Sequence, residues 1–195
     1  MTKDLPSPEL LRKLLRYEPD TGKLFWRERP RAAFDSDRIF KCWNSRHAGK
    51  EAFLINNGKG YLTGTIFYKT YKAHRVAWAL HYGRWPQEQI DHINGDRSDN
   101  TIKNLRDVRR KVNMRNQKRR STNKSGCAGV MQRSNGKWRA MIWHNGKTKH
   151  LGTFDSFNCA ASVRAKAEAE LGYTKRHGKD FTPAPPKPTQ DTMDL

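Results

Sequence analysis

The chain has 195 residues, of which 35% are hydrophobic, and its 39 lysines and arginines against 19 aspartates and glutamates give a formal charge of +20. This length allows one large or two or three small domains with modest cores, and the charge predicts a polyanionic partner, above all a nucleic acid. The longest apolar run covers only 76–80, and the N-terminus is charged, so we expect no membrane span and no signal peptide.

The cysteine count favours the reducing cytoplasm of a cell. Cys42, Cys127 and Cys159 are far apart and odd in number. This spacing fits neither a disulfide framework nor a zinc knuckle, so we expect reduced thiols and no zinc.

The first third of the chain predicts a helix followed by β-hairpins. Four leucines recur at helical spacing, at positions 10, 11, 14 and 15. TGKLFWR at 21–27 and GYLTGTIFYKTYKAHR at 60–75 favour β-hairpins that lead into a helix ending near Gly83. His74 at the start of that helix is expected to have a structural or phosphate-contacting role. The aromatic residues expected in the core, rather than stacked on bases, are Phe25, Trp26, Phe67 and Trp78. The basic residues that could contact a DNA backbone here are Lys69, Lys72 and Arg75.

The segment QIDHINGDRSDNTIKNLRDVRRKVNMRN, at 89–116, carries the residues that predict chemistry. Ile90 and Ile93 indicate a short strand that ends at the Asn94-Gly95 turn, and Leu105 begins a second strand through 108. Residues 109–117 favour a helix. Neighbours on a regular strand point to opposite faces, so Asp91 and His92 can share a site only where the first strand twists, bulges or ends.

These residue types suit hydrolysis of a phosphodiester. His92 can act as the general base, since its ordinary pKa is near ~6.5. Asp91 and Asn113 offer the oxygen ligands that Mg²⁺ prefers, and Asn116 is a rival for the second position. Asn104 can accept the imidazole N–H and hold the ring in one tautomer. The turn formers expected only to shape the loop are Asp96, Ser98, Asp99 and Asn100.

A basic segment follows at 109–124, with eight basic residues and no acid. Unbroken charge of one sign favours a helix and linker that follow a phosphate backbone over a solubilising surface. The predicted backbone contacts are Arg109, Arg115, Lys118, Arg119, Arg120 and Lys124.

The last third predicts a three-stranded antiparallel sheet and one helix. GVMQRS, KWRAMIWH and KTKHLGTF alternate in polarity and are joined by the turns Asn135-Gly136 and Asn145-Gly146. SFNCAASVRAKAEAELG then favours a helix that begins at Ser156 and ends at Gly172. On the strand at 137–144, one face holds Trp138, Ala140 and Ile142, and we expect it to cover the helix. The opposite face is basic and aromatic, and a merely solvated face is the alternative.

Two resemblances extend these inferences. DHINGDRSDN, NLR and a following helix asparagine resemble the HNH endonucleases with a ββα-metal fold, in particular the phage-type homing endonucleases, as does KAHRVAWALHYG upstream. The resemblance implies Asp91 and Asn113 as metal ligands, His92 as general base and Asn104 as the residue that orients it. No CxxC pairs flank the site, so the resemblance is not to the zinc-stabilised variant.

The C-terminal segment resembles the DNA-binding domain of plant ethylene-response factors, through GV at 129–130, KWRAMI, LGTF at 151–154 and the alanine-rich helix. In that family the sheet enters the major groove, which is ~12 Å wide and admits strands. The corresponding positions are Met131, Arg133, Arg139, Met141, Trp143, Thr148 and His150. The family usually has arginine at 131 and 148, so its site preference does not carry over.

The sequence thus predicts an α+β protein. We expect an N-terminal helix and hairpin region (1–60), a ββα-metal catalytic domain (61–118), a basic linker (119–125), a sheet and helix DNA-binding domain (126–174) and a disordered tail (175–195). The predicted function is Mg²⁺- or Mn²⁺-dependent, site-directed cleavage of double-stranded DNA by a phage- or bacterium-encoded monomer or weak homodimer in the cytoplasm. The alternatives are a non-catalytic DNA-binding regulator and an RNA-binding accessory factor. Target sequence, and nicking against double-strand cleavage, stay open.

Overall fold

The computed structural model of the protein describes residues 5–175 and 177–179. The α-helices are α1 (Pro8–Leu14), α2 (Asp37–His47), α3 (Ala73–Tyr82), α4 (Arg110–Met114) and α5 (Phe157–Glu170). The first six strands are β1 (Leu15–Glu18), β2 (Lys23–Trp26), β3 (Glu51–Ala52), β4 (Ile55–Asn56), β5 (Leu62–Ile66) and β6 (Lys69–Lys72). The others are β7 (Gln89–His92), β8 (Leu105–Val108), β9 (Val130–Gln132), β10 (Trp138–His144) and β11 (Lys147–Phe154). They form four antiparallel sheets, β1-β2-β3, β4-β5-β6, β7-β8 and β11-β10-β9.

The N-terminal elements and α3 share one hydrophobic core. Ser7 caps α1 by accepting a hydrogen bond from the Leu10 amide at 3.2 Å. Leucines of α1 and β1 then pack with Ile66 of β5 and the apolar face of α3. Leu11 and Leu14 are the buried residues of α1, as the spacing predicted, whereas Leu15 is buried as the first residue of β1 rather than within the helix. This core takes side chains from both sides of residue 60, so the first two predicted regions pack against each other.

The aromatic residues of this region have different environments. Trp78 is buried, as predicted, and Trp26 packs against the core. Phe25 is half-buried beneath the Arg16 guanidinium, 4.5 Å from its ring centroid. The prediction for Phe67 is wrong: its side chain is 55% exposed, because it lies in the two-residue turn beyond β5 rather than on the strand.

The ββα arrangement predicted around residue 92 is present. β7 pairs with β8 so that His92 lies opposite Leu105 and Asp91 opposite Arg106. The strand ends at His92, one residue before the predicted Ile93, because the chain turns there with the Gly95 amide donating to the His92 carbonyl at 2.8 Å. Helix α4 is shorter than the predicted 109–117, since the amides of residues 115 and 116 bond three residues back, at 3.0 Å each, rather than four.

The C-terminal sheet and helix have the predicted extent and turns. Asn145 and Gly146 have φ of 47° and 80°, the left-handed pair that a two-residue hairpin turn needs. Ala140 packs with Ala160 of α5, Ile142 is buried as predicted, and Trp138 stacks edge-on against Phe157 of α5. The predicted tail falls outside the described residues except at 175 and 177–179. None of the described helices has the length and apolar character that crossing a membrane requires.

Candidate active site

Asp91 and His92 line one cleft of about 320 Å³. The cleft is bounded by the end of β7, the loop at 95–98, α4 and residues 56–61. Both side chains reach it because β7 ends at His92, which removes the strict alternation of a regular strand. Asp91 and His92, although adjacent in sequence, can therefore face the same cleft because the strand ends between them and the turn.

The Asp91 carboxylate is held by nitrogen donors. Its Oδ2 accepts from Arg106 Nε and Nη2 at 2.9 and 2.7 Å, and both of its oxygens lie 3.1 Å from Asn116 Nδ2. Asp91 is only 7% exposed, so these donors replace the water that a buried carboxylate would lose. Arg106 was not among the predicted site residues, although its place opposite Asp91 follows from the hairpin register.

His92 sits in an aromatic environment that favours its neutral form. Its ring centroid lies 5.0 Å from His74 and 5.9 Å from Tyr61. Burial lowers the pKa of His92 below its ordinary value, against the opposing effects of Asn100 and the nearby aspartates. His74, behind it, is more deeply affected, because burial and then the neighbouring His92 lower its pKa to about 2. A neutral imidazole is the form that can accept a proton.

The carboxamide that faces the imidazole belongs to Asn100. Asn100 Oδ1 lies 3.3 Å from His92 Nε2. The expected contact from Asn104 is not made in the described residues, because its carboxamide bridges the loop instead: Oδ1 accepts from the Asn94 amide at 2.9 Å, and Nδ2 donates to the Asp99 carbonyl at 2.8 Å. Asn104 thus holds the turn, and Asn100, which we expected only to shape the loop, contacts the ring. Turn composition alone could not separate the two roles.

The two asparagines near α4 have different surroundings. Asn116 Nδ2 donates to the Asp91 carboxylate and to the His92 carbonyl at 2.9 Å, while its Oδ1 accepts from Thr174 Oγ1 at 3.0 Å. Both ends of this buried amide are therefore used within the fold. Asn113 is half-buried and lines the cleft, with its Nδ2 donating to Gln89 Oε1 at 2.9 Å. Its carbonyl is the better candidate for a metal ligand.

The donor set fits a divalent cation that keeps most of its water. No group of three or more histidine, cysteine, aspartate or glutamate side chains suited to a metal occurs within 5–175 and 177–179. Among the described residues, Asp91 Oδ1 accepts from Asn116 alone, which leaves lone-pair capacity for a cation. One carboxylate and one amide oxygen, completed by water and substrate phosphate, is a usual protein site for Mg²⁺.

The comparisons bear on this same segment. Residues 71–115 match the family model of HNH endonucleases. The match begins in β6 and ends just after α4, so it includes Asp91, His92, Asn104 and Asn113 but not Asn116. One solved structure, described as "DNA binding and cleavage by the HNH homing endonuclease I-HmuI", aligns over 83% of this chain and 86% of that chain, with 21% identity and a TM-score of 0.36. No curated protein matches the chain.

Basic residues occupy the end of the HNH segment (71–115) and continue after it. Arg109, Lys118, Arg120 and Lys124 are exposed, and Lys118 lines the cleft that contains Asp91 and His92. Arg115 and Arg119 are tied to the protein itself: Arg115 lies over the Tyr173 ring at 5.5 Å, and Arg119 Nη1 donates to the Gly126 carbonyl at 2.9 Å. The six predicted backbone contacts thus divide into four exposed cations and two that also support the fold.

The outer face of the C-terminal sheet carries the residues that we predicted for groove contacts. Cross-strand pairs lie on the same face, and the register pairs Arg139 with Met131, Met141 with His150 and Trp143 with Thr148. Arg133, Trp143 and His150 are exposed, whereas Arg139 is half-buried. A cavity of about 790 Å³ separates part of this face from α4 and the linker.

Proposed function

We propose that this protein is a metal-dependent endonuclease that hydrolyses phosphodiester bonds in duplex DNA. The observation that carries the proposal is the pairing of a buried histidine, whose pKa is lowered, with a carboxylate on the same cleft, inside the segment that matches the HNH endonuclease model. The charge of +20 supports a nucleic acid as substrate.

His92 would take the proton from the attacking water, with Asn100 holding its ring and Asn104 holding the loop that carries Asn100. Asp91 and Asn113 would hold the cation, Mg²⁺ or alternatively Mn²⁺. When bound, that cation supplies charge stabilisation at the phosphate and at the departing 3′ oxygen. Asn116 and Arg106 would keep the Asp91 carboxylate oriented toward the cleft.

The finer part of the proposal concerns target choice. The exposed cations at 109, 118, 120 and 124 would follow the phosphate backbone, and the outer face of β9, β10 and β11 would read base edges in the major groove, as the ethylene-response-factor resemblance implies. On this proposal the enzyme is site-directed, and the HNH resemblance implies that it is of the homing type and phage- or bacterium-encoded. One catalytic histidine per chain fits nicking by a monomer.

The second candidate is a non-catalytic DNA-binding regulator. The ion pair between Asp91 and Arg106 favours it, because a guanidinium already neutralises the carboxylate that would hold the metal. The two candidates differ in a single assay. Supercoiled plasmid incubated with the protein and Mg²⁺ or Mn²⁺ should become open-circular if the enzyme nicks, and a chelator should prevent it.

The matched variants are His92→Ala and Asn100→Ala. His92→Ala should abolish cleavage while DNA affinity stays within a few fold, and Asn100→Ala should reduce the cleavage rate less severely, since the base is present but disoriented. Cleavage should persist below pH 6.5, because burial lowers the pKa of His92, so the acid side of the profile falls only as the imidazole becomes protonated. A protein that binds plasmid but never cuts it with either metal would support the regulator instead.

A further inference from the structure

The turn at the tip of the β5–β6 hairpin has a backbone conformation that its residues rarely adopt. Phe67 and Tyr68 form the two-residue turn between Ile66 and Lys69, and both are left-handed, with φ of 47° and 62°. Side chains other than glycine, asparagine and aspartate rarely adopt this conformation, and two consecutive bulky residues there raise the free energy of the fold. The β10–β11 turn requires the same left-handed pair, and there the chain has the preferred residues Asn145-Gly146, with φ of 47° and 80°.

Nothing in the described fold explains the aromatic pair at this turn. Phe67 is 55% exposed and Tyr68 is 102% exposed, so neither side chain stabilises the core. The next residue inward, Ile66, is 1% exposed and packs in the core together with Leu62 of the same strand, so the packing of β5 does not depend on the turn residues. Large apolar side chains held in water on a strained turn indicate that their contact is with another molecule.

The surroundings of the hairpin identify a polyanion as that molecule. The sequence has no acidic residue between Glu51 and Glu88, while five basic residues fall in that interval. Lys69 is exposed directly after the turn, and Lys72 at the other end of β6 places its amine 4.6 Å from the Tyr61 ring centroid. Tyr61 in turn packs against His92. The hairpin therefore runs from the catalytic histidine outward to the aromatic tip.

The length of β6 sets the distance between the tip and Lys72. Four residues at about 3.3 Å each place the tip roughly 13 Å beyond Lys72. Base pairs are about 3.4 Å apart along the duplex, so the stretch from Lys72 to the tip is long enough to span roughly four base pairs.

We propose that Phe67 and Tyr68 form a wedge that inserts between base pairs of the duplex and partly unstacks them, while Lys69 and Lys72 contact the adjacent phosphates. Apolar side chains inserted at a base step kink and unwind DNA, which would present the neighbouring backbone to His92. The inference rests on the proposed function for its ligand, duplex DNA, but not for any chemical step.

The experiment is plasmid relaxation by a topoisomerase in the presence of saturating full-length protein with His92→Ala, so that no strand is cut. Insertion unwinds the duplex, and after removal of the protein the plasmid should carry negative supercoils. The test variant adds Phe67→Asn and Tyr68→Gly, which gives the turn its preferred residues and should keep or raise the melting temperature. It should leave the plasmid relaxed and weaken DNA binding at least about fivefold, the lower range for loss of a stacked base. The conservative control, Phe67→Tyr with Tyr68→Phe, should unwind like the parent.

The proposal of a wedge would be refuted if the variant with Phe67→Asn and Tyr68→Gly unwound the plasmid as much as the parent, which carries His92→Ala alone. It would also be refuted if the parent bound the plasmid without unwinding it. A parent that does not bind duplex DNA at all would overturn both the wedge and the proposed substrate. Unwinding by a protein whose wild-type form never cuts would leave the wedge standing and refute only the endonuclease.

Discussion

Replacing Asn116 by aspartate tests the centre of the site with almost no change in shape. The amide nitrogen of Asn116 lies 3.1 Å from both oxygens of Asp91, and its carbonyl accepts from Thr174. Asn116→Asp keeps the oxygen that faces Thr174 and puts a second carboxylate oxygen where the donor was. A stabilising contact between a donor and an anion becomes a contact between two anions.

The distance sets the size of the effect. Two unit charges about 3 Å apart repel by roughly 5 kcal/mol at an effective dielectric constant of 20. Rotation of the side chain, uptake of a proton and the nearby Arg106 reduce this, so we expect a net loss of about 2–4 kcal/mol in the free energy of unfolding. For a protein of this size that lowers the melting temperature by roughly 5–15 °C.

A divalent cation should reverse most of the loss, because it is attracted by the same pair of charges. We therefore expect Mn²⁺ or Mg²⁺ to raise the melting temperature of Asn116→Asp much more than that of the parent. The measurement is thermal unfolding with chelator and then with millimolar metal. Asn116→Ala is the uncharged control: it removes the donor, costs about 1–3 kcal/mol and should not respond more to metal than the parent.

An Asn116→Asp protein that melts with the parent in chelator would refute this geometry, since its side chain could not then face Asp91. Destabilisation that metal does not reverse would support the contact between residue 116 and Asp91 but would refute the cation at this site.

Three further predictions address stability. The free energy of unfolding should fall as pH drops below about 6.5, because the unfolded chain binds a proton at His74 that the buried ring, with its pKa of about 2, does not bind. The contribution of His74 is about 1.4 kcal/mol per pH unit. In denaturant unfolding between pH 7 and 5, the His74→Phe variant should lack this contribution. Ile142→Ala should lower the free energy of unfolding by about 2–5 kcal/mol, because this side chain is 1% exposed, whereas Trp143→Ala, at 39% exposed, should chiefly weaken DNA binding. If Trp143→Ala lowered the melting temperature and Ile142→Ala only weakened binding, the faces of β10 would be misassigned. Gly129→Ala should lower the free energy of unfolding by more than about 1 kcal/mol beyond the effect of Gly136→Ala. The φ angles are similar, 76° and 81°, but an added Cβ would meet a carbonyl oxygen and a buried guanidinium at 129 and nothing at 136. Equal melting temperatures of the two variants would contradict this.

The sequence by itself determined the elements that depend on neighbours along the chain. The Asn145-Gly146 turn, the end of α3 at Gly83 and the two strands around residues 91 and 106 are set by local backbone preferences and by the alternation of side chains, so composition and spacing suffice. The sequence also predicted that His92, Asp91 and Asn113 lie near one another, because they belong to one short segment, and all three line the same cleft.

Only the tertiary structure decided which polar groups meet. Asn100 and Asn104 are equal in type and close in sequence, but the fold of their loop turns one toward His92 and ties the other to backbone groups. Thr174 is 58 positions from Asn116, and no periodicity connects them. The exposure of Phe67 likewise depended on which residues occupied the two-residue turn, because a shift of one position moves a side chain from the core face of a strand into solvent.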